Sequence, residues 1–238
     1  MWDKTFQENY IAAQERPMPK KLALIHTATV NATTITQLCK EAMPDVEVFN
    51  IVDESLLKNT IAEQKLTPTT YRRLAGYLES AEAAGADAIL VTCSSIGPAV
   101  DAARPLVNVP VLRIDQAMAD EAVRMGTRIG VIATLSTTLA PTAALIQASA
   151  SAQGKAIELV THLCTGAFDA VISGDTATHD RLVTAGLKEL MDKVDLIVLA
   201  QATMARVVDT LPAAEKRVPI LSSPRLGVAA AKAMMAAL

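Results

Sequence analysis

The sequence predicts an α/β protein of two similar lobes, each a parallel sheet flanked by helices, related by internal duplication. Three observations lead there. Short, wholly apolar runs alternate with helical stretches, the pattern of parallel strands covered on both faces. Ala, Val, Leu and Ile fill the apolar positions, while aromatic residues make up only 3% of the chain. That composition suits helices packed on parallel strands. Four strands then recur in the same order at an offset of about 110 residues, a common length for one domain.

In the first half, KLALIH (21–26) reads as a short buried strand and NATTITQLCKEAM (31–43) as a helix. VEVFNIV (46–52) is the second strand. Residues 67–85 form a helix, opened by Thr67 and Pro68 and closed by Gly85. DAILVTC (87–93) and VPVLRID (109–115) are the third and fourth strands, with a helical stretch, PAVDAARPL, between them.

The pattern then restarts. QAMADEAVRMG (116–126) is a helix leading into the second half. RIGVIAT (128–134) repeats KLALIHT (21–27), and IELVTHLC (157–164) repeats VEVFNIVD (46–53). RLVTAGLKELMDKV (181–194) is the long helix. Upstream of it, Asp175 or Thr176 is a helix cap and His179 is expected near the surface. DLIVLAQAT (195–203) repeats DAILVTCSS (87–95), and VPILSSP (218–224) repeats VPVLRID (109–115). The helix 225–238 is the counterpart of 116–126 and is expected to pack back on the first lobe. The expected division is residues 1–115 with 225–238 in one lobe and 116–224 in the other.

The chain has 238 residues, half of them hydrophobic, enough for a sizeable core. A net charge of −3 without a basic patch argues against a nucleic-acid partner. No apolar run approaches the roughly 18 residues of a membrane span, and residues 1–21 lack the apolar core of a signal peptide. The cysteines are Cys39, Cys93 and Cys164. An odd, small number reads as reduced thiols in a cytoplasmic protein. CxxC, HxxxH and HExxH patterns are absent, so no metal site is expected.

Cys93 is the residue the pattern singles out. It ends a buried strand, and Ser94, Ser95 and Gly97 follow just before a helix. Open α/β sheets bind ligands beyond the carboxyl ends of their strands. A carboxylate there would meet the amides and hydroxyls of residues 94 and 95, and the field of the helix start would lower the Cys93 pKa. Gln201 occupies the repeated position, so the two residues are expected on opposite walls of one cleft. Cys39 sits mid-helix and reads as core.

VTCSSIGPAV after GADAIL, with the repeated halves and VDLIVLAQATM, resembles the aspartate/glutamate/hydantoin racemase family over roughly residues 20–238. The resemblance implies a cofactor-independent isomerase acting on a small carboxylate of the amino-acid or hydantoin type. In that family two thiols, one from each half, work on opposite faces of the substrate α-carbon. Cys93 matches the first of them, and Ser94 and Ser95 match residues that hold the substrate carboxylate. Thr27 and Thr134 end the first strand of each half, where the family also places substrate-binding groups. The second thiol is replaced by Gln201, which an amide's chemistry bars from proton transfer at neutral pH. Thr203 and Ser222 join the substrate-binding candidates, with Ser223 beside the latter. Cys164 and His26 are the candidates for a second base, with His162 behind them.

Two further readings follow from the missing thiol. One is a single-cysteine lyase, decarboxylase or cis–trans isomerase of a small dicarboxylate; the other is a non-catalytic carboxylate-binding relative. The scarcity of aromatic side chains points to a small pocket. The resemblance also implies a homodimer.

Overall fold

In a computed structural model, which describes residues 19–238, the chain forms two four-stranded parallel sheets flanked by helices. The first holds β1 (Lys21–His26), β2 (Glu47–Val52), β3 (Ala88–Val91) and β4 (Val111–Arg113) in the order β2-β1-β3-β4. The second holds β5 (Arg128–Ala133), β6 (Glu158–Leu163), β7 (Leu196–Leu199) and β8 (Ile220–Ser222) in the order β6-β5-β7-β8. The two-lobed α/β architecture read from the sequence is the one observed.

The duplication holds residue by residue. Lys21 faces Glu47 as Arg128 faces Glu158; Leu22 faces Ala88 as Ile129 faces Leu196. The ladders continue alike past the strand ends. Thr92 N–H donates to the Ile25 carbonyl as Ala200 N–H donates to that of Ile132. Asp53 N–H donates to His26 as Cys164 N–H donates to Ala133. Thr27 is therefore the counterpart of Thr134, and Cys93 of Gln201.

Ten α-helices surround the sheets among the described residues: α1 (Thr29–Ala42), α2 (Glu54–Glu63), α3 (Pro68–Ala83), α4 (Gly97–Ala103), α5 (Gln116–Met125), α6 (Ser136–Ala152), α7 (Ala167–Ile172), α8 (Thr176–Met191), α9 (Ala205–Thr210) and α10 (Ser223–Ala237). Strand side chains alternate between faces. Ala23, Ile25, Ile89 and Val91 pack under Leu74 and Leu78 of α3 and Val100 of α4. Leu22, Leu24, Ala88 and Leu90 pack under Ile35 and Cys39 of α1, together with Val228, Ala231 and Met235 of α10. In the second lobe, Val131 and Ala133 pack under α5 and α6, and Ile132 and Leu199 under α8 and α9.

The closing helix of each repeat thus covers the other repeat's sheet. α5 follows β4 and packs on the second sheet, while α10 follows β8 and packs on the first. Gly227 lets α10 approach: a Cβ there would stand 2.5 Å from the Ile114 carbonyl oxygen. Each large aliphatic side chain buried this way is worth about 1.5–3 kcal/mol.

Several local readings hold, and others change. Thr67 caps α3 through the Thr70 N–H, and Gly85 past its end has φ +83°. Asp175 caps α8 through the Thr178 N–H at 2.9 Å, so that helix begins at Thr176 rather than 181. His179 is buried, against the expectation of a surface position, because the earlier helix start turns it inward beside Asp180. Asp53 caps α2 through the Ser55 N–H at 3.0 Å. The third strand ends at Val91, so Thr92 and Cys93 have already left the sheet.

Candidate active site

In both sheets the chain runs from the first strand to one neighbour and then to the other. The crevice such a reversal leaves lies beyond the carboxyl ends of β1 and β3, and of β5 and β7. Thr27 and Cys93 leave the first sheet there, Thr134 and Gln201 the second. A cavity of about 510 Å³ joins the two ends. Thr27, Thr92, Cys93 and Ser94 line it from the first lobe, and Gln201 and Thr203 from the second. Its walls are mostly aliphatic, with Phe168 the one aromatic residue on them among the described residues.

Cys93 opens onto this cavity with partial exposure. After it, Ser94–Ile96 form a 3₁₀ turn that runs directly into α4. The turn rests on a buried ion pair. Arg113 donates to both carboxylate oxygens of Asp115 at 3.0 Å and to Asp101 at 2.6 Å. Gly97 touches this guanidinium so closely that a Cβ would stand 2.2 Å from Nη2. The surrounding protein pushes the Cys93 thiol up, chiefly through burial, with the Asp115 carboxylate adding to it. The Thr27 hydroxyl and the Ser95 and Ile96 amides pull the other way by favouring thiolate. The lowered pKa expected from the sequence is therefore not found: desolvation outweighs the field of the helix start.

Gln201 is held by Thr134 as Cys93 is approached by Thr27. Its Oε1 accepts from the Thr134 N–H at 2.7 Å and its hydroxyl at 3.1 Å. Thr134 itself does not line the cavity; it orients the amide that does. Ser95 lines the cavity, but its hydroxyl bonds Thr138 of α6 at 2.7 Å and joins the two lobes. Ser94 keeps its place on the wall. At the end of β8 it is Ser223, not Ser222, that reaches the cavity.

A family model described as Asp/Glu/Hydantoin racemase matches residues 25–231. The chain belongs to this family. Its fold matches a glutamate racemase isoform from Bacillus anthracis, with a TM-score of 0.69 and 16% identity over 92% of this chain and 82% of that one. It also matches a putative Asp/Glu racemase from Yersinia pestis, with a TM-score of 0.69 and 18% identity over 91% of this chain and 99% of that one. An allantoin racemase from Klebsiella pneumoniae matches with a TM-score of 0.66 and 20% identity over 92% and 88%. No curated protein matches the sequence.

For this member of the racemase family, the structure moves the second-base candidates away from the cavity. Cys164 lies in the core beside Ile132, Ala167 and Leu187, and burial pushes its thiol up to about 11. His26 is fully buried on the α1 face of β1, with Nε2 at 2.8 Å from Asn50 and Nδ1 at 2.8 Å from Thr92. Burial lowers its pKa, so the ring is neutral and both nitrogens are engaged. It falls on the Leu22–Leu24 side by strand alternation, which turns it from the cleft. His162 packs at Gly186 with Nδ1 3.5 Å from Glu189. Arg73 of α3 is paired with Asp53.

The sequence reading missed the walls. Leu57 and Ile61 of α2 and Phe168 and Ile172 of α7 line the cavity, each pair four residues apart on one helix face. The four are counterparts in the duplication, at the same offset that relates β2 to β6. Apolar residues at i and i+4 on either side of the strand ends were the available signal. Among the described residues, no helix is long and apolar enough to cross a membrane.

Proposed function

We propose that this racemase-family protein is a cofactor-independent, one-thiol isomerase that moves a proton at the carbon next to a small substrate's carboxylate. The observation that carries the reading is the make-up of the cavity wall. Cys93 is its one thiol, and no histidine stands on it among the described residues. Ser94, Thr203 and Ser223 offer hydroxyls for the carboxylate. Gln201, steadied by Thr134, stands where the family's second thiol is expected and hydrogen-bonds the substrate instead of exchanging a proton. Cys93 as thiolate takes the α-proton from one face; return to that face restores the substrate, and inversion follows when the planar carbanion turns over in the cavity before the proton returns. The thiol's raised pKa makes it a strong base once ionised, and the Thr27 hydroxyl and two amides stabilise the ion. The three unpaired thiols fit a cytoplasmic setting.

One face of attack distinguishes this reading from two-base racemisation. The α-proton exchanges with solvent deuterium faster than the configuration inverts. The test is mass-spectrometric exchange alongside optical rotation on a panel of amino acids and hydantoins, with Cys93→Ala as control. Exchange that outruns inversion, and disappears in the variant, supports the reading. Inversion keeping pace with exchange overturns it. The single-cysteine lyase is favoured by the same wall, since one thiol suffices to protonate a carbanion; turnover with loss of carbon dioxide identifies it.

A further inference from the structure

We infer that the substrate of this cavity is a monocarboxylate bearing an apolar substituent, not a dicarboxylate. The inference rests on the one-thiol reading of the same cavity and names the class of molecule it takes. The cavity has two chemically distinct parts. The strand ends bring hydroxyls and the Gln201 amide, while Leu57, Ile61, Phe168 and Ile172 bring hydrocarbon from two equivalent helices. Ile172 is 69% exposed and Val30, also on the wall, 66%. Large apolar side chains held open to solvent on a concave surface mark a place where apolar ligand surface is buried.

The charges agree. Among the described residues, the charged side chains on the wall are Glu54 and Lys58, and they pair with each other at 3.0 Å. Glu54 also accepts from the Thr29 hydroxyl and is held ionised, its pKa lowered to about 2. Arg73 and Arg113 of the same lobe are committed to Asp53 and to Asp115 with Asp101. Among the described residues, a second substrate carboxylate would shed water against hydrocarbon, where the one cation on the wall, Lys58, is already paired with Glu54. A substituent of phenyl size gains instead, by about tenfold or more in affinity.

The test is calorimetric titration of the full chain with phenylacetate and with succinate. The expected result is that phenylacetate binds about tenfold or more tightly than succinate. Leu57→Arg, a change at a half-buried wall position, should narrow or reverse that ratio by adding a cation to the hydrocarbon face. Succinate binding as tightly as phenylacetate, neither probe binding, or a ratio indifferent to Leu57→Arg would overturn the inference. Deuterium exchange of phenylalanine and aspartate separates this from the proposed function. Exchange confined to aspartate sinks the substrate class and leaves the one-thiol reading. Tight phenylacetate binding without exchange of any substrate does the opposite.

Discussion

Gln201 accepts a hydrogen bond from the Thr134 N–H at 2.7 Å, in the place where the duplication sets Cys93 beside Thr27. The two strand ends share one backbone frame and differ in the group they present. Gln201→Cys therefore puts a thiol into a frame already built to hold one. Loss of one acid–base group of two costs about 10²–10⁴-fold, so the variant should raise the inversion rate markedly. Polarimetry on the substrate panel reads this. An unchanged inversion rate with ligand binding intact would show that Gln201 is not what limits racemisation.

Cys93 should be alkylated first among the three thiols. It alone opens onto the cavity, whereas Cys39 and Cys164 are buried. Its rate should be slow at pH 7 and keep climbing through pH 9, because its thiol is held above the ordinary value. Iodoacetamide labelling followed by peptide mass spectrometry measures both. A rate that levels off below pH 8 would contradict the raised pKa.

Gly97→Ala should destabilise the protein by about 1–3 kcal/mol and depress activity together. The added methyl meets an Arg113 guanidinium fixed by two carboxylates, so the turn that carries Ser94 and Ser95 must shift. Denaturant melts and turnover numbers report the two effects. Full activity at wild-type stability would mean that the arginine yields.

Stability should fall on the alkaline side, between pH 9 and 11. Cys39 and Cys164 are pushed up from 9.0 to about 11 by burial. Below pH 9 both states hold the proton. Above it the unfolded thiols ionise while the folded ones do not, so stability drops as pH rises. Each thiol steepens the loss by up to about 1.4 kcal/mol per pH unit. Urea melts of the wild type and of Cys164→Ser across this range should differ in slope. Parallel curves would remove Cys164 from the account.

Much of the frame was legible because apolar strands announce themselves and because the repeat checks each one against its twin. The match of Cys93 with Gln201 followed from an offset alone. The helices that build the cavity walls were harder. α2 is short and starts at acids that also suit a loop, and α6 carries Pro141 within it. His26 and Cys164 were misplaced for a different reason. Sequence fixed their position along a strand end but not which face they turned to, and both face the core. The direction of the Cys93 shift was also beyond reach, since it depends on how much protein closes around the sulfur and on an Asp115 charge beside it.

The exchange of α5 and α10 between the lobes has a consequence for how the protein is made. The first sheet emerges early in synthesis, yet one face of its core is closed by Val228, Ala231 and Met235, which leave the ribosome after the whole second sheet. Until then Leu22, Leu24, Ala88 and Leu90 wait under a single helix, with hydrocarbon facing water. The core of the first lobe is therefore completed only when the last helix docks, after the second lobe has been made.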